Sequence, residues 1–193
     1  MASFVAAPPA EAAPAAAAAA QPAAAGPIFG DLSALYDKPK CWALNQDDEF
    51  PLTNLFNEDE RFVLRSDCDE QLLIHIEFNQ RVKLHSIQFR APADADSGEH
   101  DDAPSTVKVF VDQPSMSFNG VDDAPPKQVL ALTEKDYAAG AQTELKFVNF
   151  QSVGSVTLFV EENLGGEEQT RLAGLKFFGV PINAFNVADI KKC

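Results

Sequence analysis

Apolar and polar residues alternate along much of this chain, and the alternation predicts β-strands. Successive side chains of a strand point to opposite faces, so an apolar residue at every second position marks one buried face, as at Leu72, Ile74 and Ile76. The predicted strands cover residues 71–78, 82–90, 106–111, 128–132, 144–150, 155–161 and 172–180, and regular structure starts at 61–65. About eight short strands separated by turn residues are typical of an all-β, two-sheet jelly-roll sandwich.

Three local features interrupt this regular pattern. Within 82–90 the apolar residues shift from even to odd positions, which predicts a bulge near His85 and Ser86. Residues 52–57 are expected to form a short helical turn. A second turn is predicted at 133–137, where Thr133 can cap the first turn. We expect little helix elsewhere.

The first 37 residues are rich in alanine and proline and predict a low-complexity tail or linker. Prolines at positions 8, 9, 14, 22 and 27 interrupt any helix before it reaches the roughly twelve residues that an isolated helix needs. We therefore expect a disordered tether over 1–37 and a β-sandwich domain over 38–193.

Charge and cysteine content narrow the choice of partners and compartment. The formal net charge of −14 would repel nucleic acid and anionic membranes, so neither is an expected partner. Cys41, Cys68 and Cys193 are an odd number at wide spacing, which fits reduced thiols. The chain has no basic residue before Lys38 to start a secretory signal. These features predict a cytoplasmic protein, with the nucleus as a second location, that is monomeric outside any complex.

The sequence offers little catalytic chemistry, and we predict no catalytic residue, metal site or cofactor. There is no Cys-x-x-Cys pair, and Asp67 and Asp69 should raise the pKa of the Cys68 thiol between them. The acidic loop 94–102 could offer oxygens to calcium, but it lacks the EF-hand pattern, and a solvated hairpin loop is favoured. His75 and His85 could pair across a sheet for zinc, although strand histidines with ordinary partners or exposure are favoured.

One stretch, residues 66–78, carries a resemblance to a known family. The letters SDCDEQLL followed by FNQ-x-VKL resemble the PITH domain. Further similarity runs in the same order through residues 109–111, 114–118, 130–133, 147–153, 155–160, 167–171, 178–182 and 186–189. The resemblance therefore covers about residues 40–190.

The resemblance implies a jelly-roll sandwich similar to galactose-binding-like domains, without enzymatic activity, that associates with the regulatory particle of the 26S proteasome. In the thioredoxin-like relative a redox domain precedes the PITH domain. Here the first 40 residues are too few and too rich in alanine and proline for a thioredoxin fold. Two alternatives stay open: a small-ligand or carbohydrate-binding module, suggested by the jelly roll alone, and a structural subunit of a larger assembly.

The resemblance is densest just before the strand at 71–78, so we expect the partner to bind there. The candidate protein-binding residues are Asp67, Asp69, Glu70, Gln71 and Arg171. A structural alternative is that these carboxylates cap the strand or accept hydrogen bonds from backbone amides, as turn aspartates commonly do.

Overall fold

The computed structural model describes residues 29–59, 61–94 and 97–182, and this part of the chain is mostly β-strand. The strands are β1 Gly30–Asp31, β2 Trp42–Leu44, β3 Leu64–Arg65, β4 Leu72–Arg90, β5 Pro104–Val111, β6 Gln128–Ala131, β7 Thr143–Glu144, β8 Val153–Asn163, β9 Arg171–Leu172 and β10 Gly174–Pro181. The α-helix α1 covers Phe118–Asp123, and 3-10 turns cover Ser33–Leu35, Lys38–Lys40, Leu52–Phe56, Glu134–Tyr137 and Phe147–Asn149. Within these ranges no helix has the length and apolar character needed to cross a membrane.

Strand β4 runs through both layers of the sandwich. Its first part pairs with β2 and β8, and its second part pairs with β10 and β7. The strand order is β1-β10-β4-β8-β5-β6, and β3 and β9 form a separate two-stranded sheet. The sequence predicted two strands here because residues 79–81 are polar, but the exposed residues at these positions continue a single strand of 19 residues.

The predicted bulge in β4 is confirmed at His85. Phe178 of β10 lies opposite Ser86 and the next residue, Gly179, lies opposite Leu84, so His85 is the extra residue. The bulge explains the shift from even to odd positions, because Leu84 before it and Ile87 after it both point into the core.

The inner faces of the two layers share one apolar core, as expected for a sandwich. Ile74 and Ile76 from the first part of β4 lie in the same buried cluster as Ile87 and Phe89 from its second part, and as Phe177 of β10. The architecture is the all-β jelly-roll sandwich that the strand pattern predicts.

The lead-in to the sandwich packs closely on it. Residues 29–37, which the predicted domain boundary at residue 38 leaves in the tail, add β1 to the sheet, and Leu32 and Tyr36 to the core. The packed part of the chain therefore begins before residue 38. The rest of the predicted tail, residues 1–28, lies outside the described residues.

The helical predictions had mixed outcomes. The turns at Leu52–Phe56 and Glu134–Tyr137 are confirmed, the second with a capping box between Thr133 and Asp136. The strand predicted at 144–150 is wrong: only Thr143–Glu144 pairs, and Phe147–Asn149 forms a 3-10 turn. Helix α1 was not predicted, because its Asn119-Gly120 pair is a common turn signal.

Candidate functional site

Four chain segments meet at one end of the sandwich, and all five candidate binding residues lie there. The segments are residues 45–47 after β2, 66–71 before β4, 91–94 with 97–103 between β4 and β5, and 164–171 after β8. The register explains the meeting, because Leu72 at the start of β4 lies opposite Val160 near the end of β8, and Pro104 at the start of β5 lies opposite Asn163.

Asn45 holds the loop 66–71 from one side. Its side-chain amide donates to the backbone oxygen of Gln71 at 2.7 Å and to Oδ1 of Asp69 at 2.7 Å. Its side-chain oxygen accepts from the backbone N–H of Cys68 at 3.2 Å, and its backbone oxygen accepts from Asp67 at 3.0 Å. Asn45 has a φ of 61°, in the left-handed region that asparagine tolerates better than most residues.

The segment after β8 holds the same loop from the other side. Ser66 and Thr170 are both fully buried, and each donates its backbone N–H to the other residue, at 3.0 Å and 2.8 Å. The Thr170 hydroxyl donates to the backbone oxygen of Glu70 at 2.6 Å, and the Gln169 amide donates to that of Asp67 at 3.0 Å. The loop is therefore fixed by hydrogen bonds along its whole length.

The Asp69 carboxylate has a structural task in this loop. Its Oδ1 accepts from the backbone N–H of Gln71 at 3.1 Å as well as from the Asn45 amide. Capping of this kind is the structural alternative that the sequence left open. Asp67 and Asp69 are both exposed.

Next to the loop lies an acidic cleft of about 480 Å³. Six carboxylate side chains line it together with two guanidinium groups and one amide: Asp94, Glu99, Asp101, Asp102, Glu167, Glu168, Arg65, Arg171 and Gln169. Of the five candidate residues, Arg171 lines the cleft, and the loop carrying the other four lies beside it, joined through Gln169.

Both arginines of the cleft already bind carboxylates. Arg171 forms an ion pair with Asp102, and Arg65 forms one with Asp47. Burial raises the pKa of the Asp102 carboxyl, although Arg171 beside it acts in the opposite direction. The hydrogen bond from Arg65 lowers the pKa of Asp47. With both cations engaged, the remaining charge of the cleft is negative, which suits a positively charged partner.

The acidic wall of the cleft is held in place from outside. Glu134 accepts hydrogen bonds from the backbone N–H of His100 at 3.1 Å and from its ring Nδ1 at 2.8 Å. Gly165 donates its N–H to the Asp101 oxygen at 2.6 Å. A Cβ at Gly165 would lie 2.6 Å from Asp101 Cβ, so this close approach requires glycine.

The structure shows the surroundings of the cysteine and acidic loop that the sequence offered as chemical candidates. The Cys68 thiol donates to Asp67 at 3.4 Å, and this contact raises the thiol pKa, as predicted. In the described part of loop 94–102, Asp101 is exposed but Asp102 is buried, and both line the cleft, so this part is not a solvated hairpin throughout. The described part of the chain contains no group of three or more acidic, histidine or cysteine side chains placed to hold a metal ion.

The two strand histidines lie in separate environments. His75 is buried, with Nδ1 2.8 Å from the Thr157 hydroxyl and its ring stacked on Trp42. The His85 ring stacks on Phe29. These ordinary partners agree with the favoured prediction for both residues.

Sequence reasoning missed several residues of this site. Asn45 lies in an irregular stretch, and only its tolerance of the left-handed region hints at its role. Glu167 and Glu168 lie in a segment that carries the family resemblance, from which only Arg171 was selected. The role of Asp102 depends on tertiary pairing with Arg171, which no local pattern reveals.

Comparison with known sequences identifies relatives of the whole described domain. A family profile described as "PITH domain" matches residues 23–192. Thioredoxin-like protein 1 of Schizosaccharomyces pombe is 35% identical over 167 residues, covering 85% of this chain and 56% of that protein. PITH domain-containing protein 1 of Homo sapiens is 30% identical over 105 residues, covering 54% of this chain and 46% of that protein. The chain thus spans about half the length of these curated relatives.

Solved structures with a similar fold are carbohydrate-binding modules of low sequence identity. CBM32-3 from a family 31 glycoside hydrolase of Clostridium perfringens aligns with a TM-score of 0.52 at 16% identity, covering 77% of this chain and 97% of that one. The family 32 module of NanJ from the same organism, solved with galactose, aligns with a TM-score of 0.55 at 9% identity, covering 78% and 99%. At these identities the likeness shows the galactose-binding-like jelly-roll fold and nothing further.

Proposed function

The chain belongs to the PITH domain family, and from this premise we propose that it is a non-enzymatic protein-interaction module that associates with the regulatory particle of the 26S proteasome. The family membership supports an interaction role. The proteasome regulatory particle is the partner that the resemblance in sequence implies. The proposal places the protein in the cytoplasm and the nucleus, where it would meet that partner.

The observation that carries the proposal is the acidic cleft beside a loop of fixed shape. Six carboxylates line the cleft, and both of its arginines are bound by aspartates. Docking of a partner segment rich in lysine or arginine would cost the binding surface little conformational entropy, because hydrogen bonds already fix the loop 66–71. We therefore assign the contact to the cleft together with Asp67 and Glu70 of the loop.

A charge-reversal series on the full chain tests this assignment. Glu167→Lys with Glu168→Lys changes the cleft, and Asp67→Lys with Glu70→Lys changes the loop. Asp122→Lys with Asp123→Lys is the matched control, because these two residues are also adjacent and exposed but lie on α1. Binding to purified proteasome regulatory particle would be measured at low and high salt by biolayer interferometry, with melting temperatures recorded for each variant.

We expect the cleft and loop variants to weaken binding and to reduce its salt dependence, while the control variant binds like the wild type. Charges at the edge of an interface act mainly on the encounter rate, so the loss should appear in the association phase. Equal binding by all three variants would reject the cleft as the contact. Failure of the unmodified chain to bind the regulatory particle would reject the partner itself.

The two alternative functions find less support in this site. The cleft lining consists of charged and amide side chains, without an aromatic ring to stack on a sugar. The single tryptophan, Trp42, stacks on His75 on a strand face instead. A structural subunit would co-purify in constant proportion with an assembly other than the proteasome, and capture of the full chain from cells would test this.

A further inference from the structure

A second apolar cluster lies on the outer face of the sheet, apart from the main core. Leu73, Phe110 and Phe159 project from β4, β5 and β8, and each is at most 6% exposed. Met116 and Val121 cover them. These two residues belong to a segment that we name the strap, residues 113–126, which links β5 to β6 and contains α1.

The helix in the strap has little stability of its own. It has six residues, with Gly120 in its interior, and the Ser117 side chain makes no capping hydrogen bond. Asp122 and Asp123 stand at its C-terminal end, where the helix dipole disfavours negative charge. A helix this short is not stable alone in water, so packing against the sheet must hold it.

Few hydrogen bonds join the strap to the sheet. At its two ends the backbone N–H of Asp112 donates to the backbone oxygen of Ser155 at 3.0 Å, and that of Lys127 donates to the backbone oxygen of Val109 at 2.8 Å. Between these ends, the described residues show one hydrogen bond from the sheet to the strap, from the Thr157 hydroxyl to the Gln113 oxygen at 3.1 Å. Local opening costs little where buried contacts and backbone bonds are few.

We propose that the strap opens as a unit while the sandwich stays folded, and that it is a movable cover over the apolar face formed by Leu73, Phe110 and Phe159. The ends bonded at Asp112 and Lys127 act as the two hinges. Opening breaks the Gln113 bond and the contacts of Met116, Phe118 and Val121. It exposes an apolar surface on the side of the sheet, with Trp42 at its margin, separate from the acidic cleft at the end of the sandwich.

Amide hydrogen exchange of the full chain, followed residue by residue by NMR, tests the proposal. The probes in the strap are the amides of residues 120 and 124, which donate to the oxygens of Ser117 and Gly120. We expect their exchange to be at least about a hundredfold faster than that of amides in the centres of β4 and β8, after correction for intrinsic rates.

Two substitutions should move this opening in opposite directions. Gly120→Ala fits, because its Cβ would meet Ser117 Oγ at an ordinary 3.7 Å, and the gain in helix propensity should slow strap exchange about fivefold. Val121→Ala removes buried apolar surface and should speed strap exchange about tenfold. Val129→Ala is the matched control, because Val129 is 51% exposed on β6 and its change should leave strap exchange unaltered.

The amides of β4 and β8 serve as the internal reference in all three variants. Changes confined to the strap support an independent cover. Strap amides that exchange as slowly as those of β4 and β8, or variants that shift strap and sheet amides by the same factor, would show that the strap opens only when the whole sandwich unfolds, and the proposal would be wrong.

Discussion

Replacing Asn45 should loosen the loop 66–71 and lower the stability of the whole sandwich. Four side-chain hydrogen bonds of Asn45 reach this loop, two at 2.7 Å, one at 3.2 Å and one at 3.4 Å. At about 0.5 to 1.5 kcal/mol net for each bond, their loss should cost about 2 to 6 kcal/mol of the free energy of unfolding. Asn45→Gly measures this loss without backbone strain, because glycine accepts the φ of 61°, and adds only the larger entropy of glycine in the unfolded chain.

Two further substitutions separate the contributions of Asn45. Asn45→Ala keeps a Cβ in the left-handed region without the polar side chain that lets asparagine tolerate it, so we expect it to be about 1 kcal/mol less stable than Asn45→Gly. Asn45→Asp keeps the acceptor for Cys68 but places a carboxylate against Asp69. Its stability should therefore recover in part at acidic pH, where the introduced carboxylate takes up a proton.

Urea unfolding measured by fluorescence and by circular dichroism would check these values. The single tryptophan, Trp42, lies on β2 three residues before Asn45 and reports on this region, and circular dichroism reports on the sheet. The reasoning would be refuted if Asn45→Gly unfolded at the wild-type urea concentration, or if Asn45→Ala were as stable as Asn45→Gly.

Four further predictions concern titration, packing and redox chemistry. Burial raises the pKa of Tyr36 to about 12, so its contribution to stability should be lost as pH rises from 10 to about 12, and Tyr36→Phe should flatten that alkaline decline in a pH series of urea unfolding. Burial lowers the pKa of His75, so the folded state should lose stability as pH falls below 6.5, and His75→Phe should remove that part of the acid decline in the same series. Gly179→Ala would place a Cβ 2.0 Å from the Lys83 backbone oxygen, and thermal melts should show a loss of several kcal/mol or no folded protein. An insulin-reduction assay should give no rate above background thiol, and activity abolished by Cys68→Ser would contradict the raised thiol pKa.

The strand pattern predicted the sandwich because burial on a sheet depends on local alternation. The shift in the apolar alternation at His85 also located a bulge, since the apolar residues before and after it must both face one core. The prediction failed at 144–150, where Leu145 and Phe150 reach the core across a 3-10 turn instead of a strand. It failed at α1 because tertiary packing of Met116 and Val121, rather than helix propensity, holds that segment.

The candidate site was only partly readable from the sequence. The family resemblance directed attention to Asp67 and its neighbours, and the structure brings Arg171 to the same end. The cleft depends on loops that are distant in sequence, such as the contact of Asp102 with Arg171, and charge content alone cannot reveal such pairs. The same holds for Asn45, whose partners lie more than twenty residues away.

The continuity of β4 through both layers has a consequence for synthesis of the protein. β4 is complete at Arg90, but its partners β8 and β10 end at Asn163 and Pro181. The ribosome must add roughly ninety more residues before the last partner is available, which takes roughly 5 to 20 s at typical elongation rates. During that time the second part of this 19-residue strand lacks its partner β10. The length of this period is set by the position of β10 in the chain, so a rare codon in the β10 coding sequence would lengthen the time for which this edge of β4 stays unpaired.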